Sequence, residues 1–300
     1  MIIAEHISKK YQKDFLALHE VSFEVKPSTI VGVIGRNGAG KSTLFKIMAG
    51  VISDYTGSCT LNGRPVSLDY SERVSYLPET RGLDGRAQVL EHLTDMIRYK
   101  GIRKRTAEAY IKEWLVKFKL EEAKYKRIDT LSKGNQQKLQ FIIAVASRPE
   151  ILILDEPFSG LDPITSDLFW QHLEELRDQG CTILFSTHNL SDKMRKCDQF
   201  LFIRKGELVE DGSLEEVQRK YDFILELKND SFSPELIKDM VDSAKIQVNQ
   251  GTYMIKLPNV EMAKMIQGRL QDCFSEHFQV RKMTLDELFR EINHEGGETD

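Results

Sequence analysis

Gly35-Arg36-Asn37-Gly38-Ala39-Gly40-Lys41-Ser42 follows the spacing G-x-x-x-x-G-K-[ST], and that spacing carries a chemistry. Glycines let the backbone curl until several N–H groups point inward at phosphate oxygens, where a side chain would block the approach. Gly35, Asn37, Gly38, Ala39, Gly40 and Thr43 are therefore candidates to bind the phosphates of a nucleotide. Lys41 is suited to reach the β and γ phosphates, and the Ser42 hydroxyl to ligate Mg²⁺. A second pair of candidates, Asp155 and Glu156, closes the apolar run Ile151-Leu152-Ile153-Leu154. Asp155 suits a further contact to Mg²⁺, and Glu156 suits the base that orients an attacking water. An isolated apolar run ending in Asp-Glu is more often a strand before a solvated turn, so the functional reading rests on its pairing with the phosphate loop.

Both groups need rigid supports. The run Ile30–Ile34 directly precedes the phosphate loop and residues 43–48 continue from it as a helix, so the helix's positive end would face the anion. Ile151–Leu154 reads as a buried central strand whose carboxyl edge carries both acids, where ligands of open α/β sheets bind. With further apolar runs at 182–185 and 200–203, the pattern predicts a mainly parallel sheet covered by helices on both faces. Residues 88–120 and 136–147 have helical spacing with no comparable strand between them, which predicts a helical subdomain over about 80–150. Past Gly212 the texture changes to short strands at 223–227, 245–249, 253–257 and 278–282, with helical stretches at 234–244, 260–272 and 285–293. Their β-α-β-β-α-β order is the ferredoxin-like plan. The predicted domains are 1–217 and an α+β unit, 218–300.

Composition narrows the function classes. The 300 residues carry 42 Lys plus Arg against 46 Asp plus Glu, a net charge of −4, which disfavours a polybasic nucleic-acid coat. The longest apolar run, 141–146, has six residues, against about 20 for a membrane-spanning helix. The amino terminus lacks the pattern of a secretory signal, so a cytoplasmic start is expected. Cys59, Cys181, Cys197 and Cys273 never fall in a Cys-x-x-Cys spacing, and buried free thiols are the favoured reading. Residues 100–127 hold ten basic and four acidic residues. A solvated helical face is the favoured account, with anionic lipid headgroups or nucleic acid as alternatives.

Over about residues 1–220 the sequence resembles the nucleotide-binding subunit of ABC transporters. Leu131-Ser132-Lys133-Gly134-Asn135 resembles the family signature L-S-G-G-Q, altered at its third and fifth positions. Taken alone it would be an ordinary helix cap. Ser132 and Gly134, with Lys133 and Asn135 beside them, are by this resemblance the contacts to the ATP of the other subunit. Ser159-Gly160-Leu161-Asp162 resembles the loop that crosses the family's dimer interface, with Asp162 its acidic contact. Ser186-Thr187-His188 is similar to the segment with the switch histidine, which implies that His188 hydrogen-bonds the γ phosphate. Tyr11 matches the aromatic on which adenine stacks, its alternative being a surface tyrosine. Glu79 stands where the family usually has a glutamine that senses Mg²⁺ and couples to the membrane subunit. Residues 77–83 resemble a bacterial exporter branch that also has a Leu-Ser-Lys-Gly signature and a small carboxyl-terminal domain, associated with export of drugs, ions or antimicrobial and amphipathic peptides.

The resemblance implies an ABC-type P-loop NTPase fold and an ATPase with ATP and Mg²⁺ as cofactors. It implies a homodimer of ATPase subunits powering transmembrane permease subunits on separate chains, at the cytoplasmic face of the membrane, with no nucleic acid expected. The alternative is a soluble ABC-type ATPase acting on DNA or ribosomes. Against it stand a single cassette, 88 residues between Ser42 and Leu131, and no Cys-x-x-Cys hook.

Overall fold

The computed structural model describes all residues except 12–14, 68–72, 80–81, 189, 191, 229–232, 243–244, 250, 270–276 and 295–300. Thr80, Arg81 and Cys273, read above, lie outside the described residues. In chain order the first part contains β1 (Ile2–Lys10), β2 (Leu16–Val25), β3 (Ile30–Ile34), α1 (Lys41–Met48), β4 (Thr56–Leu61), β5 (Arg64–Pro65), β6 (Val74–Leu77), α2 (Val89–Arg98), α3 (Lys104–Lys117), α4 (Lys133–Val145), β7 (Ile151–Leu154), α5 (Pro163–Asp178), β8 (Thr182–Thr187), β9 (Gln199–Arg204) and β10 (Glu207–Gly212).

Continuous apolar runs form the sheet that carries the chemistry. Its order is β10-β9-β3-β8-β7-β6, with β9, β3, β8, β7 and β6 paired in parallel. Every residue of β3, β7 and β8 is buried, as expected of strands covered on both faces. Central placement of β3 between β8 and β9 sets the phosphate loop beside the ends of β7 and β8.

One face departs from the expectation of helices on both sides. A second, antiparallel sheet, β2-β1-β4-β5, shares a single core with α1 and the parallel sheet. Ile2, Ile7 and Val21 meet Leu44, Phe45 and Met48 of α1 and Val31, Val33 and Ile153 beneath. β1 and β2 alternate buried and solvated positions, so they lack the continuous apolar run that reveals a doubly covered strand.

The helical insert is built from α2, α3 and α4. Trp114, Phe118, Phe141 and Phe169 join it to α5 as a ring cluster, with the Phe141 and Phe169 centroids 4.4 Å apart. Lys100, just past α2, sends Nζ to Ser75 Oγ at 2.6 Å and Ser147 Oγ at 3.3 Å. It thereby ties the insert to β6 and to the end of α4. Cys59, Cys181 and Cys197 are buried free thiols.

The chain divides into two compact units, Met1–Asp211 and Gly212–Asp300. The second opens with α6 (Leu214–Gln218), started by a capping box between Ser213 and Glu216, slightly ahead of the boundary read from sequence. It continues through β11 (Phe223–Lys228), β12 (Ile246–Asn249), β13 (Thr252–Leu257), α7 (Val260–Arg269), β14 (His277–Lys282) and α8 (Leu285–His294). The sheet order is β12-β13-β11-β14, antiparallel throughout. Leu225, Leu227, Ile255 and Leu257 pack on Ile237, Ala263 and Ile266. The helical stretch read at 234–244 begins as a single 3-10 turn, Pro234–Ile237; the Met240 and Val241 N–H groups both return to the Ile237 carbonyl.

Candidate functional site

The phosphate loop leaves β3 and enters α1 as the sequence predicts. Gly40 caps α1 at φ 110° without a side-chain hydrogen bond, and the first turn holds no acid. The helix therefore starts with N–H groups open to an anion. A Cβ at Gly40 would lie 2.6 Å from the Ala17 carbonyl oxygen of β2, so only glycine fits there. Gly38, also at positive φ, has open space where a Cβ would stand, which leaves the loop's outer side clear for a ligand. Gly35 is buried at the loop's start, against the Ile203 carbonyl of β9.

Lys41 is buried and donates through Nζ to the Gly35 carbonyl at 2.7 Å and the Arg36 carbonyl at 3.2 Å. Its ammonium is thus folded back into the loop. Burial lowers its pKa, opposed by the carboxylates of Glu156, Asp155 and Glu79. Asn37, Gly38, Ala39, Gly40, Lys41, Ser42, Thr43, Glu79, Asp155, Glu156 and His188 line one cleft of about 300 Å³. Eleven residues from four separate stretches of chain converge there.

Asp155 and Glu156 leave β7 side by side but in different settings. Asp155 is buried, and its Oδ1 accepts from Ser186 Oγ at 2.6 Å. The same hydroxyl oxygen accepts from the Glu156 N–H at 2.9 Å. Ser186 of β8 therefore seats both acids, a role its place beside Thr187-His188 hints at and the sequence reading did not assign. Glu156 holds φ at 52°, a region that costs a non-glycine residue roughly 1–3 kcal/mol. Its Oε2 lies 2.9 Å from His188 Nδ1. Its Oε1 is buried without a hydrogen-bond partner among the described residues, an acceptor suited to a water. Tyr76, at the end of β6, has its phenol raised by burial and by the nearby Asp155 and Glu79 carboxylates.

Tyr11 is placed beside the cleft, its hydroxyl 3.5 Å from Thr43 Oγ1 and Lys9 Nζ 5.2 Å from its ring centroid. Phe15 and Ala17 also line the cleft. Neither was singled out from sequence, because no motif marks them.

The family profile described as ABC transporter matches residues 18–159. The chain is 38% identical over 221 residues to the uncharacterised ABC transporter ATP-binding protein YhaQ of Bacillus subtilis, covering 74% of each chain. It is 36% identical over 262 residues to an uncharacterised ABC transporter ATP-binding protein of Alkalihalophilus pseudofirmus, covering 86% of this chain and 97% of that one. This chain belongs to the ABC transporter ATP-binding family.

It is an ABC-type ATPase. A further family member, the Nod factor export ATP-binding protein I of Burkholderia pseudomallei, is 34% identical over 212 residues, 70% of this chain and 69% of that one. Among solved structures, the ATP-binding subunit of an ABC transporter superposes with a TM-score of 0.68 at 31% identity, over 73% of this chain and 92% of that one. The dimeric cassette MJ0796, in a post-hydrolysis state with ADP and Pi, shares the fold with a TM-score of 0.66 at 22% identity, over 71% and 99%. Among the described residues no helix is long and apolar enough to cross a membrane.

The remaining ABC segments lie outside the cleft lining. Ser132 caps α4, its Oγ accepting from the Asn135 N–H at 3.3 Å. Lys133 is exposed, and a Cβ at Gly134 would meet nothing within 4 Å. Asp162 caps α5, its carboxylate accepting from the Thr165 N–H at 3.0 Å and hydroxyl at 2.7 Å; the Thr165 bonds hold it below the usual carboxylate range. Ile164, two residues on, is 81% exposed.

Proposed function

We propose that two copies of this chain close around two ATP molecules, each held by the phosphate loop of one copy and the signature of the other. The observation that carries this is the separation within one chain: the phosphate loop opens into the cleft, while Ser132, which caps α4, and Gly134, with open space where a Cβ would stand, lie outside the cleft lining. The dimeric cassette with ADP and Pi is a precedent for the arrangement in a protein of this fold.

In this reading Gly35 to Thr43 bind the phosphates and Lys41 leaves the loop carbonyls for the β and γ oxygens. Glu156 orients the water through its open Oε1, and His188 holds the other carboxylate oxygen and contacts the γ phosphate. The donor set fits Mg²⁺: the Ser42 hydroxyl with carboxylate oxygens of Asp155 and Glu79, all lining the cleft, would hold a hard cation completed by phosphate oxygens. When bound, the ion would neutralise charge on the triphosphate. Tyr11 stacks on the base.

We further propose that closure drives separate transmembrane permease subunits of an exporter, from the cytoplasmic face, with the second unit as an accessory domain. The named export function of the Burkholderia relative supports this direction. Purification from native membranes should bring along a polytopic membrane protein that stimulates ATP hydrolysis. Recovery with ribosomes or DNA and no membrane protein would support the soluble reading instead. A chain ending at Tyr221 should retain ATP binding; loss of binding in a folded truncation would place part of the site in the second unit.

A further inference from the structure

Gln137 lies five residues past the signature cap Ser132, in the first turns of α4. Its Nε2 donates to the Pro157 carbonyl at 3.1 Å and to the Ser159 carbonyl at 3.0 Å. An amide NH₂ has two hydrogens, so this side chain spends both on one loop. The loop runs from Glu156 to Asp162 and closes on itself through the other carbonyls: Ser159 N–H donates to Glu156 O and Leu161 N–H to Phe158 O. Carbonyls 156 and 158 are thus taken from within, and 157 and 159 from α4. Phe158 anchors the loop on its apolar side, stacked on Trp170 at 5.2 Å and edge-on to Phe185. Gln136, by contrast, turns back to the Ile128 and Leu131 carbonyls and holds the approach to the signature.

We propose that Gln137 is a positioning residue that couples the two nucleotide sites of the dimer through one chain. The inference rests on the paired-site reading above. In that reading the signature at the head of α4 senses the partner's nucleotide, while Glu156 acts on this chain's own. Gln137 joins those two structures directly through its pair of hydrogen bonds. A displacement of α4 on engaging the partner's phosphate pulls on residues 157 and 159, and so on Glu156, whose left-handed backbone has little freedom to absorb it. The phosphate loop is untouched by this linkage.

The test compares the full-length chain with Gln137→Glu, which keeps length and volume but removes both N–H donors, and with Gln137→Ala. ATP hydrolysis is measured against ATP concentration, together with equilibrium binding of ATP and melting temperature. Both variants should lower kcat about tenfold and bring the Hill coefficient from above 1 toward 1, with ATP affinity unchanged within about twofold. Parent-like kcat and Hill coefficient in Gln137→Glu, whatever the melting temperature does, would overturn the coupling and leave a packing contact. A parent that hydrolyses ATP with a Hill coefficient of 1 would instead overturn the paired-site reading, and the coupling with it.

Discussion

His188 Nδ1 sits 2.9 Å from Glu156 Oε2, a half-exposed ring on a buried carboxylate. The contact joins the end of β8 to the end of β7 and fixes one oxygen of an acid whose other oxygen is open. If, as proposed, Glu156 acts on water while the phosphate loop binds, Glu156→Gln should leave ATP affinity within about threefold and lower kcat by at least about 100-fold. His188→Ala should lower kcat by about 10- to 100-fold with a small change in affinity. Steady-state hydrolysis alongside equilibrium ATP binding separates the two effects. Parent-like turnover in Glu156→Gln would remove its assignment as base.

Lys41 Nζ bonds the Gly35 and Arg36 carbonyls, and in the proposed mechanism it exchanges those bonds for charged ones to phosphate. A charged hydrogen bond contributes about 1.5–3 kcal/mol, so Lys41→Ala should weaken ATP binding roughly 10- to 150-fold. Calorimetric titration with ATP at fixed Mg²⁺ reads this directly. An unchanged affinity would mean that Lys41 stays with the loop carbonyls.

Glu79 adds a carboxylate to a cleft that already holds Asp155 and Glu156. Mg²⁺ accepts an amide or a carboxylate oxygen, so Glu79→Gln should keep ATPase activity within about tenfold, a barrier change of roughly 1.4 kcal/mol. Glu79→Ala should lose stimulation by the membrane partner. Rates of both variants with and without the reconstituted partner decide this; full stimulation of Glu79→Ala would leave Glu79 without a coupling role.

Much of this site was legible because its chemistry is local in sequence. The phosphate loop is one octapeptide, and β3 and β7 are unbroken apolar runs whose bounds the structure reproduces. The antiparallel sheet was not read, since β1 and β2 expose one face and β1 pairs with β4 across 48 to 59 residues of chain, from Ser8↔Thr56 to Ile2↔Leu61. Phe15, which lines the cleft, stands immediately before β2 of that sheet. Ser186 and Gln137 act through hydrogen bonds to distant residues, across thirty-one and twenty or more positions, and no local spacing announces such a partner. The helical stretch at 234–244 was over-read because its apolar spacing continues past the 3-10 turn Pro234–Ile237, where the described chain makes turns.

Lys100 supplies a pH dependence of stability. Burial lowers its pKa from 10.5 to about 8, while an unfolded lysine stays near 10.4. Between those values the unfolded chain binds more protons, so this group makes stability rise with pH from about 8 to about 10.4. Below about pH 8 both states are protonated and the full penalty of burying the charge applies. Lys100→Met should therefore raise the melting temperature at pH 7 relative to the parent, and the difference should shrink as pH approaches 10. Paired thermal melts at pH 7 and pH 9.5 check it. A difference independent of pH would show that the ammonium is not the source.

ATP-driven pairing of two copies is read most directly from the mass of Glu156→Gln in solution by light scattering, with and without saturating ATP and Mg²⁺. The expected mass is that of one chain without nucleotide and twice that with ATP, with no doubling when Ser132→Arg is added to the same chain. A species that binds ATP by independent titration yet stays at the mass of one chain would contradict it.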